Sequence, residues 1–584
     1  MTKFKFMIAA LVLIGLSAAG QEATQQAVPA SQTTNVANGV SVVATGTPTT
    51  MDALIDRIIQ REHALMAMLN GHTPLVETYL QDVKMDPVMG ISPRADHYFL
   101  GKMDLGATVE RRDFLSKDSS MESSMLGGIT RLFKFEYHPM GFSWMIFADR
   151  ENFDKEHYDF QYVRREFLGN VRCLLFEVKP KPKSGNGRFE GRIWVEDQDF
   201  NIVRLNGTFV PRPRNAYFFH MDSWRLNVVP GFWVPAYVYS EEGDFSYGAK
   251  ENKVAFKAQT RLWSYQLGKD DRNSELTEML VDSSVKDDSP ATQDYSPLQA
   301  QRQWQQQAED NVLERLQKAG LLAPAGDIDK VLETVANNLL ITNNVELPRP
   351  VRARVMLTSP LETFSVGNTI VVSRGLLDVL PDEACLAMVI SHELGHIVLG
   401  HNTGSKYGFS DRMVFSDQAT YRNMGFSHSP QEEDQADQKA LDLLKNSPYS
   451  AKLDSAGLFL KQLVDRSQGL TALLTPHLGN SFTDDKGVVR RMAALMNSSP
   501  ALEPNKLSQV AALPLGGRVR LNPWDNHVEL IKAAPVAIIT ARDKMPFEVT
   551  PFFPRLTRYG MAEDQSASAT SPDATPTKDQ GGPN

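Results

Sequence analysis

The residues best suited to chemistry form a short histidine–glutamate cluster in the second half of the chain. Residues 391–396 read Ser-His-Glu-Leu-Gly-His, so His392 and His396 are four positions apart and Glu393 follows the first histidine. Positions i and i+4 of a helix share a face, and two neutral imidazoles presented together suit Zn²⁺. Glu393 is then placed to take a proton from a water on that ion. The spacing predicts a hydrolytic zinc site.

The surrounding residues predict that this cluster lies in a buried helix. Residues 382–400 are apolar on most sides of a helix, and Gly400 is a typical helix end. Ionisable side chains in such a helix need partners, and a metal supplies one. Hydrogen-bonded core histidines are the alternative explanation. His401 is five positions after His396, one short of the pattern in which a third histidine binds the metal, so we expect it near the site but not as a ligand.

A third ligand is expected on a second helix, predicted over 430–445. Ser429 and Glu432 have the spacing of a capping box, which gives Glu432 a structural role. Glu433 and Asp437 then share a face beside the apolar side of this helix. We expect Glu433 to bind the metal and Asp437 to hold a ligating histidine. A solvated acidic helix start is the alternative.

The elements that must position these residues belong to a multidomain chain of 584 residues. Alternating residues at 253–264 and paired strands at 191–209 predict an N-terminal β-rich domain, an antiparallel sheet or half-barrel. The second block is predicted to be mainly α. The predicted segments are a signal peptide at 1–20, a disordered linker at 21–50, the β-rich domain at 51–269, a linker at 282–299, the mainly α domain at 301–500, a small strand region at 501–560 and a disordered tail at 562–584.

The N-terminus predicts export. Lys3 and Lys5 precede an apolar run at 6–16 and small residues at 17–20, which is the layout of a secretory signal peptide. No later stretch is long and apolar enough to cross a bilayer. We therefore expect a mature chain without a transmembrane span, periplasmic in the first instance and secreted in the second, with peripheral membrane association left open.

Charge and cysteine content indicate which binding partners and which thiol chemistry to expect. The formal net charge is -9 and no long basic stretch is present, which argues against nucleic acid as the main partner. The two cysteines, Cys173 and Cys385, lie in apolar segments of different predicted domains, and we expect buried free thiols.

Residues 310–500 resemble the M48 family of zinc metallopeptidases, which contains CAAX-prenyl protease relatives, HtpX-type proteases and periplasmic quality-control proteases. Three segments carry the resemblance: VGNTIVVSRGLLDVLPDEACLAMVISHELGHIVLGH, EEDQADQKALDLL and TPHLGNSFTDDKGVVRRMAAL. The first two match the family's active-site helix and its E-x-x-x-D helix. The third departs from the family's His-Pro and Arg segment, because Leu478 replaces the proline and the distance to the arginines is longer.

The resemblance implies a zincin-like domain that is mainly α with a small sheet, and one Zn²⁺ per chain. It implies that an edge strand at 366–372 binds substrate by strand addition. The substrate-binding residues would then include Val366, Gly367, Asn368 and Thr369. It also implies that His477, Arg490 or Arg491 stabilises the oxyanion or gates the metal.

The β-rich block resembles, more loosely, the half-barrel lipid- and lipoprotein-carrier domains of the bacterial envelope. The similar stretch is 169–204, with GNVRCLLFEVKPK followed by GRIWVEDQDFNIVR. A β-rich partner-binding or regulatory module explains these strands equally well.

These observations together predict an exported zinc endopeptidase that acts on proteins or peptides, including misfolded envelope proteins. One alternative is a chaperone-like assembly factor whose peptidase site is latent, with residues 402–428 covering the cleft as a lid. Another is a lipid- or lipoprotein-binding protein, which requires an open β-rich block.

Overall fold

The structure is a computed structural model of the whole chain. It describes residues 48–87, 90–106, 108–118, 139–211, 219–229, 231–242, 255–265, 297–401, 407, 421–484, 486–531, 540, 545 and 547–559. The predicted signal peptide and C-terminal tail lie outside the described residues. The two predicted linkers also lie outside them, except for 48–50 and 297–299. The domain boundaries therefore stay predictions.

Ten antiparallel strands form one sheet in the N-terminal half, which confirms the predicted β-rich fold. Successive strands are neighbours in the sheet except β3 and β4, which are its two edges, and β1 pairs with β10; the order is β3-β2-β1-β10-β9-β8-β7-β6-β5-β4. The strands are β1 (Leu75–Asp86), β2 (Gly90–Asp104), β3 (Glu110–Asp118), β4 (Tyr158–Leu168), β5 (Val171–Pro180), β6 (Arg188–Glu196), β7 (Ile202–Val210), β8 (Phe219–Val229), β9 (Phe232–Glu242) and β10 (Ala255–Trp263).

Pro235 lies inside this sheet, on β9 between β8 and β10. The sequence predicts an edge strand or a bulge at a strand proline. The structure has the bulge, because the pairing of β9 with β8 shifts register where Arg225 meets Pro235. The extra residue lets the ladder continue on either side of the missing N–H group.

Both faces of the sheet are buried at its central strands, such as β1, whereas the edge strand β4 is mostly exposed. Helix α1 (Met51–Leu69) packs its apolar stripe on one face, where it meets Val76 and Leu80 of β1. The alternate residues Leu75 and Tyr79 point to the opposite face. There they pack with the mainly helical C-terminal half of the chain, called the helical block below. A buried ion pair also joins α1 to the sheet, since Arg225 donates to both carboxylate oxygens of Glu62 at 2.6 and 2.7 Å.

The seam between the sheet and the helical block is polar as well as apolar. Arg261 and Gln259 of β10 are buried there, 3% and 1% exposed. Glu77 of β1 accepts hydrogen bonds from the backbone N–H and the hydroxyl of Ser359, at 2.7 and 2.8 Å. A cavity of about 30 Å³ remains at this seam, lined in part by Trp224. Pockets for small molecules are about 300–1,000 Å³, so this cavity has no room for a lipid.

The C-terminal segment 547–559 lies against the same face of the sheet. Gln81 of β1 donates to the carbonyl of Phe547 and accepts from the N–H of Val549, at 2.8 and 2.9 Å. Lys257 of β10 forms a buried ion pair with Glu548. Residues 547–549 thus provide hydrogen-bond and ion-pair partners for buried polar side chains of the central strands.

The C-terminal half is mainly helical with a small sheet, as predicted. Its helices are α3 (Pro297–Lys318), α4 (Asp327–Thr342), α5 (Arg374–Val379), α6 (Glu383–Leu399), α7 (Pro430–Lys445), α8 (Leu453–Arg466), α9 (Thr471–Leu474) and α10 (Ala493–Ser498), and α2 (Pro139–Trp144) precedes them in the N-terminal half. Strands β11 (Arg352–Met356), β12 (Thr363–Val366) and β13 (Thr369–Ser373) form a sheet of order β11-β13-β12, and β14 (Val519–Leu521) pairs with β15 (Val528–Leu530). Among the described residues, no helix combines the length and apolarity needed to cross a bilayer.

Candidate metal centre

Helix α6 carries the histidine–glutamate cluster in a buried setting. Asp382 caps its N-terminus by accepting from the N–H of Cys385 at 2.9 Å, and Gly400 ends it in the left-handed region at φ 76°. His392, Glu393 and His396 are 2%, 1% and 0% exposed. The predicted buried helix is therefore present, and it turns both imidazoles to one side.

Helix α7 brings the carboxylates to that side. Ser429 and Glu432 form the predicted capping box, which fixes the start of the helix. Helix α7 then crosses α6 closely, because a Cβ on Gly395 would lie 2.6 Å from the carbonyl oxygen of Ala436. This close approach places Glu433, which is 6% exposed, against both histidines.

The side chains of the three predicted ligands converge. The Nε2 atoms of His392 and His396 are 3.2 Å apart, Oε2 of Glu433 lies 3.3 Å from the first, and Oε1 of Glu433 lies 3.4 Å from the second. Zinc bonds of about 2.0–2.1 Å in a tetrahedron place ligand atoms about 3.3 Å apart. Oε2 of Glu433 is buried without a hydrogen bond among the described residues. Two imidazoles and this orphaned oxygen are a donor set that fits Zn²⁺.

Asp437 holds His392 from behind. Its Oδ1 accepts from Nδ1 of His392 at 2.7 Å, and its Oδ2 accepts from the backbone N–H of Met492 at 2.5 Å. Burial and nearby Arg491 would lower the pKa of His392, but the carboxylates of Asp437 and Glu433 raise it to about 9. The Nδ1 proton donated to Asp437 leaves Nε2 as the atom that faces the centre.

Arg491 reaches into the centre from the segment before α10. Its Nη1 lies 3.1 Å from Oε1 of Glu393, and its Nε lies 3.4 Å from Oε2 of Glu433. Burial would raise the pKa of Glu433, but Arg491 and then the two histidines hold it well below its usual range. Of the two arginines that the resemblance implied, Arg491 contacts the site, whereas Arg490 pairs with Asp484 at 3.0 Å.

Residues 477–480 cover the centre on another side. Nδ2 of Asn480 donates to Oε1 of Glu433 and, at 3.1 Å, to the carbonyl of His428. His477 lies earlier in this segment, where its Nε2 is 2.8 Å from the carbonyl oxygen of Tyr421. Sequence reasoning missed Asn480, because a single amide in a loop has neither periodicity nor a motif to mark it.

Two further histidines surround His396. Its Nδ1 lies 3.0 Å from Nδ1 of His401. The ring of His428 stacks on it, with centroids 3.8 Å apart and planes at 14°. Burial, and then neighbouring His396, lowers the pKa of His428 to about 4. His401 is near the site, as expected from the sequence. His428 also belongs to the surroundings of His396, although the sequence analysis did not name it.

The predicted substrate strand at 366–372 is two strands in the structure. Gly367, at φ 57°, and Asn368 form a tight turn between β12 and β13. The single-strand interpretation was wrong because Gly-Asn is a hairpin turn, and the backbone reverses there. Of the predicted substrate residues, Val366 ends the edge strand β12, whereas Thr369 begins the central strand β13.

The edge of β12 is covered. The ring of Phe364 stacks on Phe426 with centroids 4.9 Å apart, and a Cβ on Gly479 would lie 2.5 Å from the carbonyl of Thr363. Glu362, just before β12, accepts from the backbone N–H groups of Leu478 and Gly479. The predicted lid at 402–428 lies outside the described residues apart from 407 and 421–428.

Comparison with known proteins identifies the helical block. Residues 324–472 match the model of peptidase family M48, and this matched segment contains α6 and α7. Metalloprotease LoiP of Escherichia coli (strain K12) is 34% identical over 94 residues, which are 16% of this chain and 36% of LoiP. The chain thus spans about a third of the length of this relative.

Solved structures of low overall similarity match about two fifths of the chain. A putative outer membrane lipoprotein-sorting protein domain from Vibrio parahaemolyticus is 11% identical and covers 39% of this chain and 97% of its own, with a TM-score of 0.19. A DUF1329 family protein from Desulfovibrio piger ATCC 29098 is 12% identical and covers 38% and 98%, with a TM-score of 0.20.

Proposed function

We propose that this chain is an exported zinc-dependent endopeptidase that binds one Zn²⁺ with His392, His396 and Glu433. The observation that carries the proposal is the close approach of the three side chains, whose nearest donor atoms are 3.2, 3.3 and 3.4 Å apart, close to the spacing of ligand atoms around zinc. The family M48 match of the same helices supports peptide hydrolysis. The substrates are proteins or peptides, and misfolded envelope proteins suit the predicted export.

Zinc held there supplies a Lewis acid, which polarises a carbonyl oxygen and acidifies water. Glu393 is the general base in this proposal: a carboxylate oxygen takes the proton of the attacking water and passes it to the leaving amine nitrogen. Arg491 fixes that carboxylate from one side through its 3.1 Å contact. His477 contacts the carbonyl oxygen of Tyr421, and an oxyanion role for it requires that contact to break.

The covered edge strand bears on how substrate enters. An extended peptide that adds to β12 must take the place of the chain around Phe426 and Gly479, which now packs there. Asn480 must also release Glu433. We therefore propose that the cleft opens before cleavage and that basal activity on folded proteins is low.

The test is zinc content and casein cleavage by the purified full chain and three variants. Glu393→Gln is expected to keep zinc and lose about 10²–10⁴-fold in cleavage rate, because only the base is removed. Glu433→Ala is expected to lose both. Asp434→Asn, an exposed neighbour of Glu433 on α7, is the matched control and should retain both. Full cleavage by Glu393→Gln contradicts the mechanism, and a wild-type chain that binds no zinc contradicts the proposal.

A chaperone-like assembly factor with a latent peptidase site is the second candidate. The observation that favours it is the contact of Asn480 with Glu433 under a covered edge strand. Complementation separates the two candidates: Glu393→Gln should fail to rescue a strain that lacks the gene if cleavage is the function. Full rescue by this variant favours the chaperone-like role.

A further inference from the structure

The two metal-facing histidines are held differently from behind. His392 donates its Nδ1 proton to a carboxylate, Asp437, at 2.7 Å. Nδ1 of His396 instead meets a second imidazole, because Nδ1 of His401 lies 3.0 Å away. An imidazole nitrogen can donate or accept, so this contact alone leaves the tautomer of His396 undetermined.

The other nitrogen of His401 resolves the direction of this hydrogen bond. Nε2 of His401 lies 3.2 Å from Oε1 of Gln435, which is an acceptor. With the Gln435 amide in this orientation, Nε2 of His401 carries the proton, and neutral His401 is left with an acceptor at Nδ1. His396 then donates its Nδ1 proton to His401, and its Nε2 keeps the lone pair that a metal needs.

We propose that His401, oriented by Gln435, is a positioning residue that holds His396 in its metal-binding tautomer. It does with a neutral ring what Asp437 does for His392 with a charge. The inference rests on the proposed zinc site, because the tautomer matters only if His396 binds a metal.

The helix end explains why a histidine five positions on can do this. The backbone N–H of Gly400 donates to the carbonyl of Ile397 at 3.2 Å, and that of His401 donates to the carbonyl of His396 at 2.9 Å. These are the two hydrogen bonds of a Schellman turn, which folds the chain back on the last helical turn. Gly400 permits the turn at φ 76°. His401 is thereby returned to the ring of His396.

The cluster of His396, His401 and His428 could also be considered as a second metal site, since a nitrogen of each lies within 4.8 Å of the others. The stacking argues against it. Lone pairs lie in the ring planes, and the planes of His396 and His428 are 14° apart at 3.8 Å, so the pairs run side by side and do not converge. His428 instead fixes the plane of the His396 ring from its face.

Zinc affinity of the full chain, measured by competition with a chromophoric chelator, tests the proposal. His401→Leu removes the acceptor and should weaken binding about 10–100-fold, as loss of a partner behind a ligating histidine does. His401→Asn should restore affinity to near wild type, because its side-chain carbonyl can accept the same proton. Gln435→Leu should weaken binding in the same direction, and the loss should not add to that of His401→Leu. His63→Leu, an exposed histidine on α1, is the control.

Nitrogen-15 spectra of the histidine rings provide a second readout that a merely structural role leaves unchanged. In the metal-free wild type, neutral His396 should carry its proton on Nδ1, and in metal-free His401→Leu this preference should weaken. Melting of the metal-free variants shows whether the fold is intact. Equal zinc affinities in His401→Leu, His401→Asn and wild type overturn the proposal, as do equal losses in both variants. A wild-type chain that binds no zinc overturns the proposed function itself.

Discussion

Gly395 sits where the two metal-binding helices touch, and replacing it tests how tightly their spacing sets the site. A Cβ at this position would lie 2.6 Å from the carbonyl oxygen of Ala436, against about 3.4 Å for an ordinary contact. Gly395→Ala therefore requires α7 to move by about 0.8 Å at a point three residues from Glu433. Zinc–ligand distances tolerate about 0.2 Å, so we expect zinc affinity to fall about 10–100-fold.

Helix propensity, in contrast, predicts that the same substitution stabilises α6 in the metal-free protein. Alanine in a helix interior is favoured over glycine by about 1 kcal/mol, and this offsets part of an overpacking cost of about 1–3 kcal/mol. The metal-free variant should thus melt close to wild type. The zinc-loaded variant should lose up to about 2.7 kcal/mol of linked stability for a hundredfold weaker affinity.

Chelator competition and thermal melting with and without zinc measure both quantities. Gly141→Ala is the matched control, because Gly141 is an exposed glycine of α2 whose Cβ would meet nothing within 4 Å. It should leave zinc affinity unchanged. Wild-type zinc affinity in Gly395→Ala would refute the argument that the spacing of α6 and α7 determines the distances among His392, His396 and Glu433.

Three further perturbations follow from the contacts described. Asp437→Asn should weaken zinc binding about 10–100-fold in the same chelator assay, because the group behind His392 loses its charge; unchanged affinity contradicts this. Burial raises the pKa of Asp96 from 3.8 to about 6, although N–H groups of Ala472 and Leu473 oppose it. The folded state therefore favours the protonated form, and about 3 kcal/mol of stability present below pH 3.8 is lost as pH rises through 6. Asp96→Asn should flatten this part of the pH–stability curve in denaturant titrations, and a slope equal to wild type rejects the assignment. Arg225→Met should cost about 3–5 kcal/mol by leaving Glu62 buried and unpaired, and adding Glu62→Met should recover most of it; an equal or larger loss in the double variant contradicts this.

Local features of the site were the most predictable from sequence. His392 and His396 share a face because of helical spacing alone, and the Ser429 capping box fixed the start of α7, which brings Glu433 to the correct side. Arg491 and Asn480 depend instead on how the chain returns to the centre after α9. The resemblance left Arg491 as one of three candidates, and no periodicity or motif marked Asn480.

Two features show where pattern reasoning failed for physical reasons. The single strand at 366–372 was carried over from the family resemblance, but the left-handed conformation of Gly367 reverses the chain inside it. On β10, Gln259 and Arg261 alternate with apolar residues as if they faced solvent. They are buried because residues of the helical block, including their partner Ser359, pack over them. That partner is 100 and 98 residues away in sequence, so a local pattern does not reveal the contact.

The position of residues 547–559 has a consequence for the order in which the protein folds. Val549 meets Gln81 across 468 residues of chain, and a chain made from its N-terminus supplies this contact only after the helical block has been made. The ten-stranded sheet can pair much earlier, since β10 ends at Trp263. Its face bearing Tyr79 and Trp194 then stays open to water until the helical block arrives. The growing chain passes through a period in which a finished sheet exposes an apolar surface, and this is the interval in which aggregation or a holding factor would compete with folding.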